Sequence, residues 1–246
     1  MATSEPSSTG TSSSRDERVL AIRRGAEVRR IGLDETSWVD VAEGFVVDPD
    51  AQLEAVRSGI EWHQAEVLRY DRYVPERRLM ADVRAESAPL LRQTELHLES
   101  RYRVRFTGVA AILYRDGDDF QGLHSDREMR WLDDTLIAIV VLGERRPFAF
   151  RPRGAWQGAP DRSPPGSLAD DVVITPGRGD LLVMGERCQR DWLHGVPRID
   201  QHDSPRLSLT WRWTSRRGRP DTNPTYGDGR QFSDRAPRPG TRQRRP

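Results

Sequence analysis

The sequence predicts an α+β fold, with helices packed on one face of a sandwich or barrel of short strands. Two helical patterns come first, and a long run of short strand signals punctuated by Gly and Pro follows them. Both ends are poor in apolar residues, so one central stretch must carry the core.

Residues 1–14 are rich in Ser and Thr and read as a disordered tail. Asp48-Pro49 suits an N-cap followed by Pro in the first helical turn and opens a helix to about Gly59. Ser87 and Pro89 start a second helix, to about Tyr102, with an apolar stripe of Leu90, Leu91 and Leu98. Strand signals then cover Val104–Tyr114, Gly122–Asp126, Thr135–Leu142, Pro147–Arg151, Val172–Ile174, Asp180–Met184, Leu193–Val196 and Arg206–Trp213. Residues 152–171, rich in Pro, Gly and Ser, read as a long loop. From Arg216 to Pro246 nine Arg face three Asp, a basic disordered tail that either touches phosphate or is simply solvated. The divisions are therefore 1–14, 15–103, 104–213 and 214–246, and no internal repeat is visible.

Of 246 residues, 35% are hydrophobic and 31% charged, enough for one large domain or two small ones. The net charge of +1 gives no global field to draw in nucleic acid. All 39 basic residues are Arg, which weakens any argument from an Arg cluster alone. The single Cys188 excludes an intrachain disulfide framework and suits a reducing cytoplasmic setting. No apolar stretch is long enough to span a membrane, and the N-terminus lacks the apolar region of a signal peptide. We expect a cytoplasmic protein, a monomer with no membrane partner.

The chemistry concentrates in His124-Ser125-Asp126 and His194. With five His and 23 Asp, a chance His-x-Asp turns up in about every second chain of this kind, so the motif needs context. Residues i and i+2 of a strand point the same way, so His124 and Asp126 can share one ion, which His194 can close. Two imidazoles and one carboxylate with open positions are the ligand set of non-haem Fe(II) oxygenases, and zinc is the competing metal. Taken singly, His124 reads as a surface histidine and His194 as a core histidine.

Arg206 and Arg212 are six apart in RLSLTWR, so on one strand both project from the same face. Each offers a planar fork for a carboxylate, and a 2-oxo dicarboxylic acid has two. Tyr114 closes the strand before the metal loop, either donating to the same acid or packing as a half-buried aromatic.

These residues resemble the AlkB family of Fe(II)/2-oxoglutarate dioxygenases, and most closely its nucleic-acid dealkylases. The resemblance runs over roughly 35–213 and is carried by LYRDGDDFQGLHSDRE (113–128), GDLLVMGERCQRDWLHGVPR (179–198) and SPRLSLTWR (204–212), with YVPERRLMA (73–81) similar to the substrate-facing segment. It implies a double-stranded β-helix (jelly-roll) core over 104–213 and, within 15–103, N-terminal helices with a nucleotide-recognition lid. It implies that His124, Asp126 and His194 bind Fe(II) and are the catalytic centre. It further implies that Arg206 and Tyr114 hold the distal carboxylate of 2-oxoglutarate, and that Arg212 holds the carboxylate nearer the iron. Two positions depart from the family pattern. Ile112 replaces an Asn in Ile112-Leu113-Tyr114, and Ser208 replaces one in RLSLTWR. Ser208 can restore one hydrogen bond to the co-substrate and Ile112 cannot, which implies weaker or altered 2-oxoglutarate binding.

The activity implied is oxidative dealkylation of N1-methyladenine and N3-methylcytosine in single- or double-stranded DNA or RNA, as in DNA repair, consuming O2 and 2-oxoglutarate. Glu128, two residues past Asp126, would favour these cationic bases over neutral ones, or it is a solvated loop acid. Tyr70, Tyr73, Arg77, Arg78 and Met80 are the lid candidates, an aromatic to stack on a flipped base and arginines for phosphate. Packing of an edge strand accounts for the same residues. Trp192, beside His194, reads as core. The competing functions are a 2-oxoglutarate hydroxylase of a protein or small molecule, and a catalytically silent binding module that keeps the fold.

Overall fold

The computed structural model describes residues 20–69, 72–106, 108–126, 128–153, 171–200 and 204–215. Residues 1–14, Tyr70, nearly all of the expected 152–171 loop and the expected C-terminal tail from Arg216 onward lie outside the described residues, while Thr214 closes the last strand. In chain order the elements are β1 (Arg29–Gly32), β2 (Trp38–Ala42), α1 (Pro49–Ser58), β3 (Glu66–Arg69), β4 (Arg72–Pro75), β5 (Leu79–Val83) and α2 (Pro89–Tyr102). There follow β6 (Val109–Tyr114), β7 (Gln121–His124), β8 (Thr135–Gly143), β9 (Phe148–Pro152), β10 (Val172–Ile174), β11 (Asp180–Glu186), α3 (Cys188–Asp191), β12 (Trp192–Val196) and β13 (Arg206–Thr214).

Two antiparallel sheets face each other. The larger has the order β1-β2-β11-β8-β13-β6-β5, the smaller β10-β9-β12-β7, and β3 with β4 forms a separate hairpin. The central strand β8 is apolar throughout because both of its faces are buried. Leu136, Ala138, Val140 and Leu142 pack with Val56 of α1 and Leu90, Leu91 and Leu98 of α2, on the outer face. Ile137, Ile139 and Val141 face the other way, against Phe148, Phe150, Trp192 and Val196 of the small sheet. The expected α2 stripe is thus the seam between helix and sheet. Full burial of each of its leucines is worth roughly 1.5–3 kcal/mol, and truncating Leu98 to Ala would cost about 2–5 kcal/mol.

Strand β13 sorts its residues by face. Leu207, Leu209 and Trp211 enter the helix-side core. Arg206, Ser208, Thr210 and Arg212 alternate with them and are also buried, on the face toward the small sheet. A buried polar face beside an apolar one is the signature of a strand lining a site.

The N-terminal part of the chain extends the large sheet. Strands β1, β2 and β5 come from the part of the chain read as helices and lid, yet they join the large sheet. β2 is hard to read because Asp40 interrupts its apolar run. Arg30 lies opposite Asp40 in the β1–β2 pair and donates to it twice, at 2.7 and 2.9 Å, and the Tyr102 hydroxyl donates at 2.9 Å. The signal over Val104–Tyr114 yields a strand only from Val109. Asp48 does stand at the entry of α1, but it adopts a left-handed conformation (φ 49°) and its carboxylate makes no capping hydrogen bond. Pro49 in the first turn has no N–H to satisfy, so less capping is needed. At the other end of β8, Gly143 has φ +77°, and an added Cβ would meet the Pro205 carbonyl oxygen at 2.2 Å, so the turn out of the central strand requires glycine. No helix among the described residues is long and apolar enough to cross a membrane.

Candidate metal centre and co-substrate pocket

The small sheet brings the two histidines together. β12 pairs with β7 so that His194 lies directly across from His124, with ring centroids 4.4 Å apart. The approach depends on Gly195, where a Cβ would meet the Gln121 carbonyl oxygen at 2.8 Å, and the register shifts just past His194. Such irregularities commonly re-aim a side chain beside a site.

Asp126 reaches the histidines differently from expectation. β7 ends at His124, so Asp126 is not its strand neighbour on the same face. It opens a turn in which its carbonyl accepts from the N–H groups of Met129 and Arg130, both at 3.0 Å. Its own N–H donates to Gln189 Oε1 at 3.0 Å. A strand cannot continue when backbone groups are diverted into a turn, and this turn folds the carboxylate back toward the rings. One ligand atom each from His124, Asp126 and His194 then lies within 4.8 Å of the others.

The electrostatics suit a cation. His124 Nδ1 lies 3.0 Å from the Gly122 carbonyl, and the tautomer that donates its Nδ1–H there leaves the Nε2 lone pair free beside Asp126 Oδ1, 3.6 Å away. Burial, with His124 adding, pushes the His194 imidazole down to about 3 against the pull of Asp126, so it is the neutral, ligating form near neutral pH. Burial alone would raise the Asp126 carboxyl. The Arg212 guanidinium, with both histidines, outweighs it and holds the group well below the usual carboxylate range. The ring of Phe148 stacks on His194 at 5.8 Å and 11°, closing one side of the site with hydrocarbon.

Beside this cluster lies a cationic pocket. Arg206 is the register partner of Tyr114, and its guanidinium is 5.3 Å from the Tyr114 ring. It is 0% exposed. Nη1 donates to Ser208 Oγ at 2.6 Å, while Nε and Nη2 have no hydrogen-bond partner among the described residues. Burial pulls this group down to about 10, with Tyr114 opposing the fall and Arg146 adding to it. Arg212 stands on the same buried face of β13, and its Nε donates to Asp126 Oδ2 at 2.6 Å, so it anchors the acid of the triad.

The remaining expected residues are more dispersed. Glu128 is half-buried in the turn after Asp126. Met80 is buried on β5 opposite Ile112, on the sheet face that carries Tyr114. Tyr73, on β4, is 52% exposed. Arg78 is tied to Glu76 at 2.8 Å, and the Arg77 carbonyl accepts from Arg115 at 3.3 Å. Neither Tyr73 nor Arg78 hydrogen-bonds to the triad. Trp192 is core as expected, with its indole N–H donating to Asp34 at 2.6 Å. Arg146 and Gln189 were not legible. Arg146 is buried 5.4 Å from the Tyr114 ring and donates to the carbonyls of Asp116, Asp119 and Pro197 at 2.8–2.9 Å. In a chain with so many arginines, nothing in the sequence sets Arg146 apart.

Residues 48–212 match the 2OG-Fe(II) oxygenase superfamily. The chain belongs to that superfamily. It is a dioxygenase that uses Fe(II), 2-oxoglutarate and O2, and its His-Asp-His cluster is the ligand set that chemistry needs. The resemblance to AlkB proteins also holds. The dioxygenase is 28% identical over 203 residues to alpha-ketoglutarate-dependent dioxygenase alkB homolog 3 of Mus musculus, covering 75% of this chain and 70% of that protein. It is 26% identical over 185 residues to the Homo sapiens protein of the same name, covering 74% of this chain and 63% of that one. With the DNA oxidative demethylase ALKBH2 of Homo sapiens it shares 30% identity over 124 residues, 50% of this chain and 46% of that protein. Among solved structures it is similar in fold to HygX from Streptomyces hygroscopicus with nickel and 2-oxoglutarate bound, at a TM-score of 0.52 and 12% identity, covering 74% of this chain and 84% of that one.

Proposed function

We propose that this dioxygenase removes N-linked methyl groups from nucleic-acid bases, with N1-methyladenine and N3-methylcytosine as substrates. The observation that carries the reading is Arg206. A buried guanidinium with two unpartnered nitrogens beside a metal-ligand triad is a seat for a carboxylate, because an unpaired buried charge is otherwise costly. The donor set fits both groups: two imidazoles, that of His194 held neutral, and an ionised carboxylate for Fe(II), and a forked cation for the distal carboxylate of 2-oxoglutarate.

His124 through Nε2, His194 and Asp126 through Oδ1 would hold the iron, with Tyr114 beside Arg206 at the co-substrate. Bound Fe(II) and 2-oxoglutarate supply the activation of O2 that hydroxylates the methyl carbon. The N–C bond then breaks, formaldehyde leaves, and the base nitrogen is restored. Arg212 keeps Asp126 ionised and fixed. Phe148 and the apolar face around it cover the His194 side of the site. Glu128 would face the cationic base, with Met80 lining the approach and Tyr73 and Arg78 on the lid. The AlkB relatives, two of them named for alkB homolog 3 and one as a DNA oxidative demethylase, support nucleic acid as the substrate class.

The test is a single-stranded oligonucleotide carrying either base, incubated with the full chain, Fe(II), 2-oxoglutarate and O2 and read by mass spectrometry. Loss of one methylene that requires both iron and 2-oxoglutarate is expected. Succinate formed without change in the oligonucleotide would transfer the site to a protein or small molecule, and neither product would indicate a silent module.

A further inference from the structure

Asp126 is held at nearly every polar atom it has. Its carbonyl closes the following turn, its Oδ2 accepts from Arg212, and its N–H donates to Gln189. Only Oδ1 is left facing His124. Gln189 is itself fully buried, in the single turn of α3. Its amide orientation is unambiguous. The Asp126 N–H can only donate, so it takes Oε1, and the Met184 thioether can only accept, so it takes Nε2, 3.2 Å away. A second limb grips the same loop. Arg153 Nη2 donates to Ser125 Oγ at 2.6 Å and to the Gln189 carbonyl at 3.0 Å, while its Nε donates to the Arg190 carbonyl at 2.7 Å. α3 runs directly into β12, which carries His194. One helical turn therefore sets the distance between the two ends of the triad.

We infer that Gln189 is a positioning residue for the metal-binding carboxylate, with Arg153 locking the same loop from outside. It touches neither metal nor substrate. Without its acceptor, the Asp126 backbone N–H is buried and unpaired, and the turn relaxes to find another partner, turning Oδ1 away from the histidines. The inference rests on the assignment of His124, Asp126 and His194 as metal ligands, but not on the identity of the organic substrate.

The test uses the full chain and Mn(II) alone, with affinity read by calorimetry and by the electron paramagnetic resonance signal of free Mn(II). Gln189→Met keeps the shape of the side chain and removes the acceptor, and should weaken Mn(II) binding by about tenfold or more, in line with other outer-shell changes. Gln189→Glu keeps an acceptor at the same atom and should retain most of the affinity that Gln189→Met loses. A merely structural role would lower the melting temperature of Gln189→Met and leave Mn(II) affinity unchanged, and that result would overturn the inference. If Gln189→Met does not fold, Arg153→Ala cuts the outer limb at an exposed side chain and should still weaken Mn(II) binding, and unchanged affinity would overturn the clamp. Asp126→Ala separates the two levels. If it binds Mn(II) as well as the parent does, the metal assignment itself fails and this inference with it. If it loses Mn(II) while Gln189→Met does not, only the positioning role fails.

Discussion

Replacing Arg206 with Met should make the metal-free protein more stable and strongly weaken binding of the co-substrate. The sign follows from burial. The folded-state value of this guanidinium falls from 12.5 to about 10, so its charged form is disfavoured in the fold at every pH below about 10 and the cost fades only above that. At about 1.4 kcal/mol for each tenfold change in the proton equilibrium, the cost near neutral pH is about 3 kcal/mol. Methionine fills similar space without charge and gives up one hydrogen bond, to Ser208, worth about 1 kcal/mol. The net gain is about 2 kcal/mol, a rise in Tm of about 4–8 °C for a domain of this size. The parent should recover the difference only when the carboxylate arrives, since saturation at a hundredfold over Kd adds about 2.7 kcal/mol. The assay is calorimetric melting of both proteins, first without metal and then anaerobically with Mn(II), with and without excess 2-oxoglutarate. A lower Tm for Arg206→Met, or a shift with 2-oxoglutarate equal to the parent's, would show that Arg206 is not the carboxylate seat.

Asp34 links the β1–β2 turn to Trp192 at the start of β12. Burial raises its carboxyl, but the Trp192 indole and the Thr36 and Ser37 N–H groups prevail and hold it at about 2, below its usual 3.8. Its stabilisation is thus present above pH 3.8 and lost as pH falls through about 2. Asp34→Ala should cost about 1 kcal/mol at pH 6, discounted for the solvent-screened setting, and urea melts should show the gap closing between pH 4 and pH 2. Gly195→Ala should push β12 from β7, costing roughly 1–3 kcal/mol by overpacking and weakening Mn(II) binding in titration calorimetry. Ile112→Asn with Ser208→Asn should lower the KM for 2-oxoglutarate, each added net hydrogen bond of about 1 kcal/mol giving roughly fivefold. Succinate release against 2-oxoglutarate concentration measures it, and an unchanged KM would mean that neither position meets the acid.

The parts of the fold legible in the sequence are those where burial leaves a pattern. The apolar run of β8, the alternation of β13 and the leucine stripe of α2 each declare which face goes inward. β1 and β2 do not, because a short exposed edge pairs with a strand whose middle residue is a buried acid neutralised across the ladder. At the site, the order of His124, Asp126, His194, Arg206 and Arg212 is readable, but the means of convergence is not. Asp126 arrives by a turn rather than by strand alternation, and nothing in the spacing says that Arg212 also meets Asp126. Gln189 and Arg146 act through backbone groups far away in sequence, and such contacts leave no trace in residue spacing.

The most direct test of the iron and co-substrate site is optical. Fe(II) and then 2-oxoglutarate are added anaerobically to the full chain, and the visible spectrum is followed for the charge-transfer band of a 2-oxo acid chelated to ferrous iron. A band is expected that requires both additions, disappears in Asp126→Ala and is strongly reduced in Arg206→Met at the same 2-oxoglutarate concentration. No band in the parent, or a band that survives Asp126→Ala, would contradict the assignment of that site.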